Sequence, residues 1–355
     1  MKDEMTRKER MLAAIRRQPH DRVPTEIDFS PKMLDVVCKH YGAPCRGEEE
    51  LLPWMDNHLV YCFINDAFGM QRKRILGGGK IAYDNWGCGF DISQEGNCQV
   101  VHPLEDDDAI LTYEFPDPNA PGLLDWAEEA IPKYKNDYLV CSYQVTCLIE
   151  RASALRGFEN FLCDMVADEE FADELLDRIA DYQVGMAKRY IRAGVECGRV
   201  GDDYGSQKGM LIDPNLWRRL VKPKLARVVK TYKDAGIPVI LHSCGDIRPI
   251  IPDIIEIGID VLNNVQPEAM PREDLEQYRG KITFYGGIST QQVLPHGTEE
   301  DIYNEVKACY DAYGPGDGLL LSTGISVMSD VPMKNLNALM RAFNEIGGAH
   351  YIIKD

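Results

Sequence analysis

The sequence predicts an α/β fold, a (β/α)8 barrel of the TIM type with an irregular N-terminal excursion. Three observations carry that reading. From residue 138 onward, short apolar segments alternate with amphipathic stretches at helical spacing, a rhythm that implies a parallel sheet. Polar residues collect where the apolar runs end, at Asp202-Asp203, His242-Ser243-Cys244, Gln266, Gly286-Gly287 and Ser322, and the C-terminal rim of such a barrel is where active sites are built. The rival, an open doubly wound sheet, would show a Gly-rich phosphate turn after an early strand. The sequence has none.

The elements follow in order. Residues 3–17 have helical spacing and stop before Pro19, and Val23 to Phe29 reads as a strand. Residues 43–136 form the excursion, rich in Pro, Gly, Trp and Asp, with turns at Gly77-Gly78-Gly79 and from Tyr113 to Pro118. Six strands then run Tyr138 to Val145, Gly198 to Asp202, Pro238 to His242, Val261 to Val265, Ile282 to Tyr285 and Leu319 to Leu321. Pro214 to Ala235 and Asp301 to Tyr313 read as helices between them. Asp213 suits the cap of the first, Pro214 its first turn and Gly236 its stop. With the early strand and one hidden in the excursion, the count reaches eight. The whole chain, 1–355, is then one barrel domain whose excursion covers the mouth.

Composition bounds the function. The chain has 355 residues, 45% hydrophobic and 27% charged, enough for a sizeable core. Thirty-nine Lys and Arg against 57 Asp and Glu leave a net charge of −18. That balance disfavours nucleic acid and anionic membrane surfaces, which need a basic face, and any polyanionic substrate without local arginines. No run approaches the ~20 apolar residues of a membrane span, and the charged N-terminus shows no secretory core. Eleven cysteines without framework spacing read as free thiols in a reducing compartment. A cytoplasmic enzyme or binding protein is expected.

The sharpest local signal is Leu241-His242-Ser243-Cys244-Gly245-Asp246. Residues two apart on an extended chain face the same side, so His242 and Cys244 can converge on one metal ion such as zinc. Two ligands do not complete a site, and a rim histidine beside a buried thiol is the plainer alternative. Asp202 and Asp203 face apart: one looks into the mouth as a general acid, base or acceptor, while the other caps a turn or helix. Glu150 is a metal-binding or substrate-orienting carboxylate, or else the partner of Arg151 in an ion pair on a helix surface. Trp86 and Phe68, beside glycines in the excursion, suit a loop closing over a flat ligand, or core of that excursion. Gly77-Gly78-Gly79-Lys80 lacks the spacing of a phosphate loop.

Taken together these segments resemble one family. Asp21-Arg22-Val23-Pro24, Asn85-Trp86-Gly87-Cys88, Gly201 to Gly209 with Asp213-Pro214-x-x-Trp217, and His242-Ser243-Cys244-Gly245-Asp246 all carry the likeness. So do Ile254 to Asn263, Gln266-Pro267 and Gly286-Gly287-Ile288-Ser289. The chain resembles the uroporphyrinogen decarboxylase superfamily over nearly its whole length, most densely from 198 to 340, and that superfamily's fold is a (β/α)8 barrel.

The resemblance implies one of two chemistries. Decarboxylases of that superfamily need no metal and hold an octacarboxylate with arginines in a Gln-Ala-Gly-Arg segment after the first strand. Here that stretch reads Thr25-Glu26-Ile27-Asp28-Phe29, with acids in place of arginines. The other branch, cobamide-dependent methyltransferases, passes a methyl group between a small methylated compound or thiol and a corrinoid protein, with zinc on a His-x-Cys pair and a later Cys. His242 and Cys244 match the pair, while Ile325 stands where the later ligand belongs. The resemblance thus implies a zinc-assisted methyltransferase with Asp202 or Glu150 as third ligand or orienting group. Trp86, Phe68, Gln266 and Tyr285 would line the mouth. The methylcobamide would ride on a partner protein, because this chain lacks an Asp-x-His-x-x-Gly motif, and relatives imply a homodimer. The alternatives are a metal-free decarboxylase of a smaller acid, or a binding protein that has lost catalysis.

Overall fold

Short runs of Val, Leu and Ile, bounded by glycines and polar residues, form the strands because branched side chains pack well on a pleated surface. A computed structural model describes residues 4–44, 48–65, 80–93, 98–314, 316 and 318–354. The main parallel strands are β1 (Thr25–Glu26), β2 (Leu59–Cys62), β3 (Leu139–Ser142), β4 (Gly198–Gly201), β5 (Val239–His242), β6 (Val261–Val265), β7 (Thr283–Ile288) and β8 (Leu319–Thr323). Six of them form one curled sheet in the order β1-β8-β7-β6-β5-β4, and β2 pairs with β3.

Both flanks of that pair meet the larger sheet. Between β3 and β4 the parallel bridges Cys141–Cys197 and Gln144–Val200 accompany backbone bonds such as Ser142 N–H to the Cys197 carbonyl at 2.9 Å. Between β1 and β2 there is a single bridge, Thr25–Asn57, and side chains supply the rest. The buried Glu26 carboxylate accepts from the backbone N–H groups of His58 (3.2 Å) and Leu59 (3.3 Å). Asn57 bonds Ile27 in both directions, accepting at 3.0 Å and donating at 2.8 Å. Glu26 is therefore structural.

Period-two alternation sorts the inward side chains into layers. Leu59, Leu139, Cys141, Cys197, Ile240, Val261 and Leu320 pack together inside, with Met11, Ala14 and Ile15 of the helix Arg7–Ile15 against them. Two residues further along the strands the inward positions are Tyr61, Tyr143, Arg199, His242, Asn263 and Ser322, and all of these line one cavity. An apolar floor thus lies beneath a polar layer.

Boundaries shift where local chemistry competes. The first helix is Arg7–Ile15, started by a capping box of Thr6 and Glu9. The stretch expected as one helix over 214–235 is two, Pro214–Leu220 and Lys222–Asp234, because Pro223 has no N–H to continue the ladder. The helix expected at Asp301 begins at Glu299, since Thr298 is its cap. The excursion is more regular than its composition implies. It holds β2, a helix Asp125–Tyr134 and an antiparallel sheet of Ile81–Tyr83, Gly89–Asp91 and Cys98–Val101. Phe90 and Gln99 of that small sheet face the cavity. Every described cysteine is a free thiol, and among the described residues no helix is long and apolar enough to cross a membrane.

Candidate functional site

Two loops leave neighbouring strand ends and converge. The turn after β4 carries Asp203, β5 ends on His242, and Cys244 follows two residues later. The His242 Nε2, the Cys244 Sγ and an Asp203 oxygen all lie within 4.8 Å of one another. Nε2 is 3.7 Å from the sulfur and 3.9 Å from Asp203 Oδ1. That oxygen also accepts the Cys244 backbone N–H at 2.7 Å, which ties the two loops together.

The loops can approach this closely because two glycines face each other. Gly245 has φ +78°, and a Cβ there would sit 2.3 Å from the Gly205 carbonyl carbon. The buried Gln266 side chain accepts the Gly245 N–H at 2.7 Å and pins the loop.

Hydrogen bonds orient the histidine. Asn263 donates its Nδ2 to the Tyr285 carbonyl (3.3 Å) and turns its Oδ1 toward His242 Nδ1, 2.7 Å away. Arg199 Nη2 also reaches that oxygen, at 3.3 Å. The proton therefore belongs on Nδ1, and Nε2 presents its lone pair to the cluster. Burial, and then the Arg199 charge, lower the His242 pKa and keep the ring neutral. Burial raises the Cys244 thiol well above its ordinary value, with Asp203 adding to the effect. An imidazole nitrogen, a sulfur and a carboxylate oxygen, with an amide holding the ring from behind, suit a divalent ion such as zinc, which lowers a thiol's pKa on binding.

The cavity over the cluster has a volume of about 500 Å³, and Glu150, Asp203, His242, Cys244 and Tyr285 line it. Burial, followed by the nearby Asp203 and Asp202 charges, raises the Glu150 carboxyl far above its usual range. Several expected positions need correction. Asp202 is fully buried and does not line the cavity; its oxygens accept the Ile149 and Glu150 backbone N–H groups, both at 2.8 Å, at the start of the helix Ile149–Arg156. Burial raises its pKa to about 6. Asp202 is thus the capping member of the pair, and Asp203 is the one that faces the cavity beside His242 and Cys244.

Glu150 and Arg151 do not pair on a helix surface. Arg151 is buried and bonds Asp84, with its guanidinium 5.0 Å from the Trp86 ring. Trp86 packs there at 4.6 Å from Tyr182, in the main core and away from the cavity wall. Gln266 likewise holds a loop from behind. Phe68 and the Gly77 to Gly79 turn lie outside the described residues.

The uroporphyrinogen decarboxylase (URO-D) family profile matches residues 81–346. The chain belongs to the uroporphyrinogen decarboxylase family. It is 23% identical to the methylcobamide:CoM methyltransferase MtbA of Methanosarcina mazei, over 95% of this chain and 97% of that one. It is 22% identical to a uroporphyrinogen decarboxylase of Legionella pneumophila, over 96% and 97%. A solved methyltransferase from Methanosarcina mazei shares the fold, with a TM-score of 0.70 at 19% identity, covering 96% of this chain and 99% of that one.

Family membership leaves the chemistry to the site. Ile325 lines the cavity but offers no ligand atom. Sequence reasoning passed over Arg199, Asn263 and Asp28, which also line it. The signal for the first two was present: polar residues at inward positions of otherwise apolar strands.

Proposed function

We propose that this member of the uroporphyrinogen decarboxylase family is a corrinoid-dependent methyltransferase, moving a methyl group between a small methylated compound or thiol and a corrinoid protein. The single observation that carries the reading is the convergence of Asp203, His242 and Cys244 at the end of two neighbouring strands. These three residues would hold zinc. When bound, zinc makes a thiolate available at neutral pH. The chain's own residues do the rest. Asn263 and Arg199 fix the His242 ring, the Cys244 N–H holds Asp203, and Glu150 keeps a proton on the cavity wall beside them. Asp202 holds the start of the helix that carries Glu150, and Tyr285 lines the cavity. We read the eight strands as one closed (β/α)8 barrel, with residues 1–355 a single domain in the cytoplasm and a homodimer as the assembly.

Metal analysis of purified protein tests this. About one zinc per chain is expected, lost in His242→Ala and in Cys244→Ala, with methylcobalamin demethylation lost in parallel. Asp203→Asn is expected to weaken zinc binding by roughly tenfold or more. Zinc-free protein that still transfers the methyl group would sink the mechanism. The second reading, a metal-free decarboxylase, draws on Ile325 in the cavity wall and on the decarboxylases among the relatives.

A further inference from the structure

Arg199 is not itself one of the three candidate ligands, and its burial is costly. It stands on β4, nine-tenths buried, with its guanidinium carbon 4.7 Å from the Tyr61 ring centre and 5.0 Å from that of Tyr143. One nitrogen, Nη2, donates to Asn263 Oδ1 at 3.3 Å and lies 3.1 Å from the His242 ring. Its Nε is buried with no partner, and no described carboxylate lies within ion-pair distance of it. A buried guanidinium without a counter-ion is costly unless an anion completes it.

Asp28 lines the same cavity. It lies just beyond β1, and β1 and β4 are the two end strands of the six-stranded sheet. One of its oxygens accepts the Ser326 hydroxyl at 2.6 Å. Asp28 is near enough to act on Arg199, His242 and Tyr285 through its charge, yet too far from Arg199 for an ion pair. The two opposite charges are thus held apart across one cavity, with the rings of Tyr61, Tyr143, Tyr285 and Phe90 in its wall.

We propose that the cavity takes a small zwitterion, a molecule with one carboxylate and one positively charged nitrogen, its carboxylate on Arg199 and its nitrogen toward Asp28. A ligand with one charge leaves one of the two residues unmatched in a site largely shielded from water. A zwitterion satisfies both, and the aromatic rings suit the alkyl groups and positive face of its nitrogen. One arginine against two aspartates also makes the wall unfit for a polyanion. The proposal deepens the methyltransferase reading by naming its substrate class, and it rests on that reading only for the reaction the ligand enters.

Calorimetric titration of the full-length, zinc-loaded protein tests it with three probes. N,N-dimethylglycine carries both charges, 3-methylbutanoate replaces its nitrogen with carbon, and trimethylammonium lacks the carboxylate. Dimethylglycine is expected to bind at least about tenfold more tightly than either single-charge probe. Arg199→Met should reduce its affinity to that of trimethylammonium, and Asp28→Asn to that of 3-methylbutanoate. Equal affinities for the three probes, no binding of dimethylglycine, or an Asp28→Asn protein that binds it as the parent does would each overturn the proposal. If Arg199→Met fails to fold, Asp28→Asn decides alone, since the amide oxygen it introduces can still accept from Ser326. Zinc content of the same samples separates the two readings. Bound zinc without a zwitterion preference sinks the ligand class alone, and zwitterion binding by a protein that takes up no zinc sinks the metal reading alone.

Discussion

His242 is useful at this site because of what stands behind it. Its Nδ1 proton is committed to Asn263 at 2.7 Å, so the ring can neither rotate nor change tautomer without losing a buried hydrogen bond. Asn263→Ala removes that acceptor while leaving all three candidate ligands in place. Zinc affinity, measured by chelator competition, is expected to fall about 10–100-fold with unchanged circular dichroism; an unaltered affinity would refute the orienting role. The pairing of His242 with Cys244 was legible in the sequence because period two is a local property of an extended chain. The choice between Asp202 and Asp203 was not. β4 ends at Gly201, and the turn that follows, rather than the pleat, decides which carboxylate enters the cavity.

At the scale of elements, the site depends on how tightly the loops after β4 and β5 pack. Gly245→Ala places a methyl group against Gly205 backbone atoms, where no flexible side chain can give way. It also holds alanine at positive φ, which costs about 1–2 kcal/mol. Gly236→Ala shares the positive φ, +73°, but meets nothing within 4 Å. Both variants should lower the thermal midpoint, and only Gly245→Ala should also release zinc. If both keep zinc equally, the close approach of the loops does not position Cys244. Asp213, Pro214 and Gly236 were readable as helix punctuation because caps act within a few residues. The interruption between Leu220 and Lys222 was less visible, since an apolar face continues across it. The role of Asp202 as a cap on the helix Ile149–Arg156 joins residues about fifty apart in the chain, and no local pattern announces such a contact.

For the whole molecule, the alternation of strands and helices made the parallel sheet readable, whereas β2 was hidden by its neighbours of Pro, Gly and Asp in the excursion. The seam between β1 and β2 also sets an acid sensitivity. His58 beside it is fully buried, accepts from Arg10 Nη1 at 3.0 Å and has an Nδ1 contact to the Asp56 carbonyl at 2.8 Å. Burial, with Arg22, Arg10 and Arg7 adding to it against Asp56, lowers its pKa from 6.5 to about 3. Between those values the unfolded chain binds a proton that the folded one refuses, so this residue costs stability as pH falls through that window and costs nothing above it. The urea midpoint of the parent should therefore drop more between pH 7 and pH 5 than that of His58→Gln. Parallel curves would show that the buried ring does not set the slope. A ring of strands stitched throughout by its backbone has no preferred place to part. Here the join between β1 and β2 is made by a carboxylate and an amide, groups that can trade a protein partner for water one at a time. Breathing of the wall is therefore cheapest between Asp28 and Tyr61, and a guest too wide for the resting cavity would find its room on that side.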